Sequence, residues 1–455
     1  MKKTLLFLGV VLLALVRQPL AAQTTINVFN GVLYYDGYAA TVTNPAPPTG
    51  VIRHRNDLYA RRLTATEIQS IGTLLTMKVT IAAACDNYDR IGNVNLALVP
   101  KGATTYVPAD VQHIEIARYI TPFMDKNKTP SSVSYDYEIS NIAALLKETS
   151  LSANYDFWVE LQVFGVPYAA NTQIAGCTGR TDVFYGSLDF TTNAPAPAQS
   201  ANVLRPLLYQ ASLNNYQASA TDTLGKTTRT VNFILPVGLT DAALFLVTSN
   251  HGANSGGEEY NRRMHYAYFD NVLKLSYKPG RVSCEPFRQY NTQANGIYGP
   301  SAQTNAQWQS FSNWCPGDKI DIRRINLGPL AAGSHSFRIR VPDAAFAGGQ
   351  GDIPTSVYLQ GKTSGVLSTA GSRTATGAFF LYPNPSAGLV TVANPAGVAV
   401  RELVVRNSLG QVVHRAAGST APQFTLSLGS LAAGTYVAEI RTADGVATRT
   451  FQVAH

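Results

Sequence analysis

The chain has 455 residues, of which 45% are hydrophobic and only 14% charged. That length suits two to four domains, and the composition excludes wholesale disorder. The formal charge is +8, but the Lys and Arg residues are scattered with no run of five or more, which argues for a solvated, mildly basic surface and against a nucleic-acid groove.

Lys2 and Lys3 precede an apolar run from Leu5 to Val16, followed by "RQPLAAQ". This reads as a secretory signal peptide over 1–22, cut near Ala22. Its run of about 12 apolar residues is shorter than the ~20 needed to span a bilayer. An exported chain with an even set of cysteines, Cys85, Cys177, Cys284 and Cys315, favours disulfides; no C-x-x-C pair supports a zinc site.

Beyond the signal, glycine, proline and tyrosine are plentiful and helical periodicity is scarce, so an all-β chain is expected. The segments "TMKVTIAAA", "VNLALV", "FWVELQVFG" and "VFYGSLDFTT" read as strands of a first domain over 23–195. In "CDNYDRIGNVNL" (Cys85–Leu96), the carboxylates Asp86 and Asp89 stand beside Tyr88 and Arg90, ahead of Val94, Leu96 and Leu98, which share one strand face. In "YDFWVELQVFG", Phe157, Val159, Leu161 and Val163 form one apolar face, while Trp158, Glu160 and Gln162 point the other way. That second face is either solvated or a sugar-binding concavity. "APAPAQS" (Ala194–Ser200) reads as a linker.

The second block, 201–360, has "TVNFILPVGL", "AALFLVTS" and "SHSFRIRVPD" as its best strands. Within it, "SNHGANSGGEEYNRRMH" (Ser249–His265) is a glycine-bearing loop with Glu258, Glu259, Arg262, Arg263 and His265 crowded behind it, the kind of loop that carries binding and catalysis on a rigid scaffold. A small, polar linker is expected over 361–378, then a third domain over 379–455 with short alternating strands and Asn/Gly turns. There "YPNPSAG", "NSLGQVV" and "LAAGTYVAEI" resemble, in order and spacing, the C-terminal sorting domain of type IX secretion substrates; the chain ends in "QVAH" where basic residues are usual. The resemblance implies the type IX secretion machinery as a partner and a secreted or cell-surface product, with this domain usually removed or exchanged for an anchor.

Nucleotide chemistry and serine hydrolysis have no motif here: G-x-S-x-G, H-E-x-x-H, the P-loop and G-x-G-x-x-G at a strand–helix junction are all absent. Seven histidines without close spacing argue against a copper or zinc enzyme. Carboxylate chemistry remains. "CDNYDR", "ARYITPFM", "GGEEYNRRMH" and "NWCPG", in that order across 27–360, resemble the bacterial peptide-N-glycosidase F type amidases. The resemblance implies two adjacent eight-stranded antiparallel jelly rolls, followed here by the small C-terminal β-sandwich. It implies a site at the junction of the two rolls and a secreted, metal-free and cofactor-free amidase. The reaction cleaves the side-chain amide joining an N-linked glycan to asparagine, leaving aspartate and releasing a glycosylamine. N-linked glycoproteins or glycopeptides would be the partners, nucleic acid would not, and the protein would act as a monomer.

Carried over by position, the essential acid falls on Asp89 with Arg90 beside it, the second acid on Glu259 and the third on Glu160, which would fix the first N-acetylglucosamine. Tyr88, Trp158, Gln162, Tyr260, His251 and Arg263 would face the sugar. Cys284–Cys315 matches a family bridge; Cys85 lacks the family's near partner upstream, which leaves it to Cys177. Departures are Gln162 for a tryptophan, Tyr88 for the commoner tryptophan, Phe311 for an active-site arginine, and Gly257 and Asn261 where cysteines would close a small loop. The alternative is a catalytically impaired glycan-binding surface protein on the same scaffold. A copper monooxygenase on a related pair of rolls would want several His and Met ligands, and only Met77, Met124 and Met264 outlast the signal peptide.

Overall fold

The computed structural model describes residues 23–252, 257–310, 313–363, 379–394, 398–408, 410–442 and 446–454. The expected signal peptide, Phe311 and most of the linker expected over 361–378 lie outside the described residues.

The first unit contributes β1 (Thr24–Tyr35), β2 (Val51–Arg55), β3 (Leu58–Arg62), β4 (Leu75–Ala83), β5 (Ile91–Pro100), β6 (Gln112–Ile120), β7 (Ser132–Glu138), β8 (Tyr155–Val163) and β9 (Asp182–Thr192). They form a four-stranded sheet β1-β9-β4-β7 and a larger sheet β6-β5-β8-β3-β2, all antiparallel. Met77, Val79 and Ile81 of β4 face Val94, Leu96 and Leu98 of β5 and Phe157, Val159, Leu161 and Val163 of β8 in one core. Period-2 alternation gives each strand an apolar face, and burying each such side chain contributes roughly 1.5–3 kcal/mol. Nine strands of its own make this roll one larger than the expected eight, because the β2–β3 hairpin adds an edge to the larger sheet.

The second unit holds β10 (Asn202–Ala211), β11 (Thr228–Leu235), β12 (Leu239–Thr248), β13 (His265–Phe269), β14 (Val272–Tyr277), β15 (Lys319–Ile320), β16 (Arg323–Leu330), β17 (Gly333–Arg340) and β18 (Thr355–Thr363). Sheets β10-β18-β12-β16 and β11-β17-β13-β14 enclose a core of Leu244, Leu246, Phe337, Ile339, Val357 and Leu359. Short β15 leaves this roll and pairs with β6, extending the first roll's larger sheet. Gly361–Thr363 are not linker: they finish β18, where Gly361 pairs with Val203. "APAPAQS" is tacked to the first roll, with Ala196 N donating to Ile71 O (3.1 Å) and Gln199 N to Lys147 O (2.8 Å). The C-terminal unit has β19 (Phe380–Tyr382), β20 (Leu389–Ala393), β21 (Val400–Arg406), β22 (Val412–Ala417), β23 (Gln423–Ser427), β24 (Gly434–Thr442) and β25 (Val446–Val453), in a three-stranded and a four-stranded sheet around Val392, Leu403, Ile440 and Phe451.

β10 and β18 pack across β6. The outer face of the first roll's larger sheet is therefore covered where alternation alone would leave it wet, and β5 is buried on both faces from Gly92 to Val99. A charged cluster fills that seam. Glu115 and Arg118, both on β6, form a fully buried bidentate pair at 2.7 Å in each arm. Asn93 (2.7 Å) and the Ser356 hydroxyl complete the carboxylate, while Arg118 Nη1 donates across the seam to Ser249 Oγ (2.9 Å) and Pro354 O (2.7 Å). Removing one member of such a pair leaves a bare buried charge and costs about 3–5 kcal/mol, whereas replacing both by apolar groups costs far less. We expect Arg118→Met to lower the denaturant midpoint sharply and Glu115→Leu/Arg118→Met to restore most of the loss; urea titrations of the two variants check this.

Candidate active site

The turn before β5 is built by Asp86. Its buried carboxylate accepts from Tyr88 N (2.9 Å) and Val166 N (2.7 Å) and ties down Arg90 Nε (2.7 Å). The first of these is an Asx turn, which reverses the chain locally. The Cys85–Cys177 disulfide, with Cα atoms 5.5 Å apart, anchors its start. Thr121 braces the other side: its hydroxyl accepts from Arg90 N (2.7 Å) and donates to Tyr88 O (3.1 Å). Arg90 also lies over the Tyr88 ring, 5.4 Å from its centroid.

Asp89, between Tyr88 and Arg90, is left out of this bonding, and its Oδ2 is buried with no hydrogen-bond partner among the described residues. Burial first, then the neighbouring Glu259, pushes its carboxyl up to about 7, against a smaller opposing pull from Arg90. Glu259 comes from the second roll, on a single 3-10 turn over Glu258–Tyr260. Its Oε2 accepts from Gly252 N (3.2 Å) and its carboxylate takes the Tyr260 hydroxyl, yet burial still holds it above the usual carboxylate range. The "NWCPG" turn supports this acid from behind. Asn313 Nδ2 donates to Glu259 O (2.7 Å) and Asn313 Oδ1 accepts from Asn250 N (2.9 Å). Trp314 Nε1 donates to Asn250 O (3.1 Å). Cys284–Cys315 closes with Cα atoms 5.4 Å apart. Gly317, at φ 96°, then makes the reversal that delivers β15 to β6. Asn261 Nδ2 donates to Gly257 O (2.7 Å), so a hydrogen bond closes the turn across the two positions that lack cysteines.

Two groups of residues separate. Asp89, Arg90, Tyr88, Glu259 and Tyr260 are brought together across the seam. Tyr88 and Tyr260 line one cleft of about 420 Å³ with Phe123, Gln293, Asn295 and Ile297. The β8 residues are elsewhere. Glu160 pairs with Asn95, four residues into β5 from Ile91, which at ~3.3 Å per residue puts it about 13 Å beyond the start of the strand. Its carboxylate is fully buried and takes Tyr106 OH (2.6 Å), His113 Nε2 (2.9 Å) and Asn95 Nδ2 (3.3 Å). These three donors occupy the Glu160 carboxylate. Trp158 packs with Ala60, Ala97 and Val99, and Gln162 donates to Asp57 (3.1 Å).

Two further expected sugar contacts are occupied. Arg263 holds buried Glu258 with two bonds of 2.9 Å. His251 meets Ser249 Oγ (2.8 Å), and burial pushes its imidazole down to about 3, so it is neutral near pH 7. Sequence reasoning missed Thr121, Asn313 and Asn250, although all three stand inside segments it had singled out. The buried Asn250 side chain has neither amide atom bonded among the described residues. Among the described residues no group of three or more His, Cys, Asp or Glu side chains could hold a metal ion.

Residues 25–178 match the family "Peptide-N-glycosidase F, N terminal", 219–360 match "Peptide-N-glycosidase F, C terminal" and 380–454 match "Secretion system C-terminal sorting domain". No curated protein matches the chain. Among solved structures it is similar to PNGF-II, with a TM-score of 0.53 at 19% identity over 75% of this chain and 66% of that one. It thus spans just under two thirds of the PNGF-II chain's length. A second crystal form of PNGF-II gives 0.53 at 18% identity, over 75% and 65%. PNGase F, a glycosylasparaginase from Flavobacterium meningosepticum, gives 0.48 at 18% identity, over 75% and 96%. At such identities the likeness speaks for the fold.

The raised Asp89 carboxyl has a consequence for stability. The folded state favours its protonated form, so that contribution is present below the ordinary value of 3.8 and is lost as pH rises to about 7. Asp89→Asn is expected to raise Tm above pH 7 and to leave it nearly unchanged below pH 4. Thermal unfolding of both proteins at pH 3.5 and pH 8 checks the sign.

Proposed function

The chain belongs to the peptide-N-glycosidase F family and carries a type IX sorting domain that marks it for export, and from that premise we propose that it is a secreted amidase releasing N-linked glycans from asparagine. One observation carries the reading: two buried carboxylates from different rolls, Asp89 and Glu259, interact with each other and both have raised proton affinity, while their chain neighbours Tyr88 and Tyr260 line one cleft.

Amide hydrolysis needs a base to activate water and an acid to help the amine leave, each role contributing about 10²–10⁴-fold. Asp89, with one oxygen uncommitted to the protein, orients the water and takes its proton. The water oxygen bonds to the side-chain carbonyl carbon, the carbon–nitrogen bond breaks, and Glu259 supplies a proton to the departing nitrogen. Aspartate stays in the peptide; the glycosylamine leaves and decays to free sugar and ammonia. Arg90, fixed by Asp86, stabilises the ionised form of Asp89 rather than reaching for the oxyanion. Tyr88, Phe123 and Tyr260 offer ring faces to the sugar. Both acids come from one chain, so a monomer holds a complete site. Glu160 serves in this reading as a buried polar anchor.

The same burial of Glu160 favours a second reading, a glycan-binding protein of reduced activity, since the third acid of the family pattern is withdrawn from the cleft. A gel-mobility shift of a denatured N-glycoprotein separates the two. We expect release by the wild-type protein, a fall of about 10²-fold or more for Asp89→Asn and Glu259→Gln, and a much smaller fall for Glu160→Gln. Near-normal activity of Asp89→Asn would refute the assignment. Because Asp89 must be ionised, the single-turnover rate is expected to rise with pH through about 7.

A further inference from the structure

A second cavity, of about 590 Å³, opens between the two rolls and the C-terminal sandwich. Three guanidinium groups line it: Arg55 on β2, Arg205 on β10 and Arg229 on β11. No carboxylate does, among the described residues. The nearest acids are spent elsewhere. Asp57 holds Arg55 at 2.9 and 3.2 Å, and Glu160 lies behind His113, whose ring stacks on Tyr209 at 4.6 Å. The side chains of Arg205 and Arg229 make no ion pair or hydrogen bond among the described residues, and Arg205 Nε is buried without a partner. Burial alone lowers the proton affinity of Arg205. A cation kept in such a place costs free energy unless an anion compensates it. Side-chain amides fill the wall between the charges, with Gln162 and Gln210 on the rolls and Asn384 and Gln452 on the sandwich.

Guanidinium forks fit planar or tetrahedral oxyanions, and amides fit hydroxyls. We propose that this cavity binds the anionic group of an acidic saccharide, a sugar carboxylate or a sulfate ester, with Arg205 and Arg229 as its principal contacts. That the ligand is a sugar rests on the deglycosylation reading; the affinity for an anion does not. Arg55, already paired to Asp57, supplies longer-range attraction, so binding weakens as salt rises.

Isothermal titration of the full chain tests this with 3′-sialyllactose, lactose 3′-sulfate, lactose and sodium sulfate as probes. One or both anionic saccharides are expected to bind, with lactose not binding. Arg205→Gln/Arg229→Gln is expected to weaken binding about tenfold or more, while cleavage of a neutral N-glycopeptide stays at the wild-type value and Tm does not fall, since the change removes an uncompensated buried cation. Arg229→Gln alone, at a half-buried strand position, keeps the test open if the double variant fails to fold, with a smaller loss in the same direction. Equal binding of lactose, unchanged affinity in the variants, or binding of inorganic sulfate alone would each overturn the proposal. If the chain cleaves no glycopeptide yet binds an anionic saccharide through these arginines, the proposal stands and the amidase reading falls.

Discussion

Everything at the site depends on the ion pair buried in the seam between the rolls. Glu115 and Arg118 occupy one strand, yet Arg118 reaches Ser249 and Pro354 of the other roll. Ser249 meets His251, and the next residue, Gly252, gives its N–H to Glu259. In the other direction β6 runs into Thr121, which braces the turn holding Asp89. One strand thereby braces the segments that carry Asp89 and Glu259. The pair need not add stability over an apolar seam. What it contributes is a polar link from one roll to the other, through Arg118 Nη1 to Ser249 Oγ and Pro354 O.

The acids of this chain divide by how fully their oxygens are bonded. Glu115 and Asp86 take four donors each, and Glu160 and Glu258 three each. Those carboxylates hold the scaffold. Asp89 keeps an unbonded oxygen in a buried place, which sets it apart from these acids. Asp86 and Asp89 stand three residues apart with opposite duties, one folded into the turn and one presented by it.

Much of the fold was legible in the sequence because alternation is a local signal. β4, β5 and β8 could be read from Met77–Ile81, Val94–Leu98 and Phe157–Val163, and the motif order led to both rolls and the sorting domain. What could not be read is what covers a face. Glu160 stands on the side of β8 away from the core, as its position dictates, but whether that side meets water, sugar or another sheet is decided by β10 and β18, distant in sequence. Arg263 likewise reads as a free cation until Glu258, buried beneath it, claims it. Composition misled at Gly361–Thr363: small and polar side chains suggest a linker, while the backbone completes a ladder with β10.

The strand β15 has a meaning for biosynthesis. β6 presents an open edge from the time the first roll is completed by β9 until Lys319 and Ile320 emerge about 130 residues later. At the usual 5–20 residues per second of synthesis, that edge is unpaired for roughly 6–26 s. The first roll is thus born incomplete and must be kept from pairing with a neighbouring nascent chain. Expressed without the second roll, it would carry that exposed edge permanently, with Arg118 Nη1 deprived of Ser249 and Pro354.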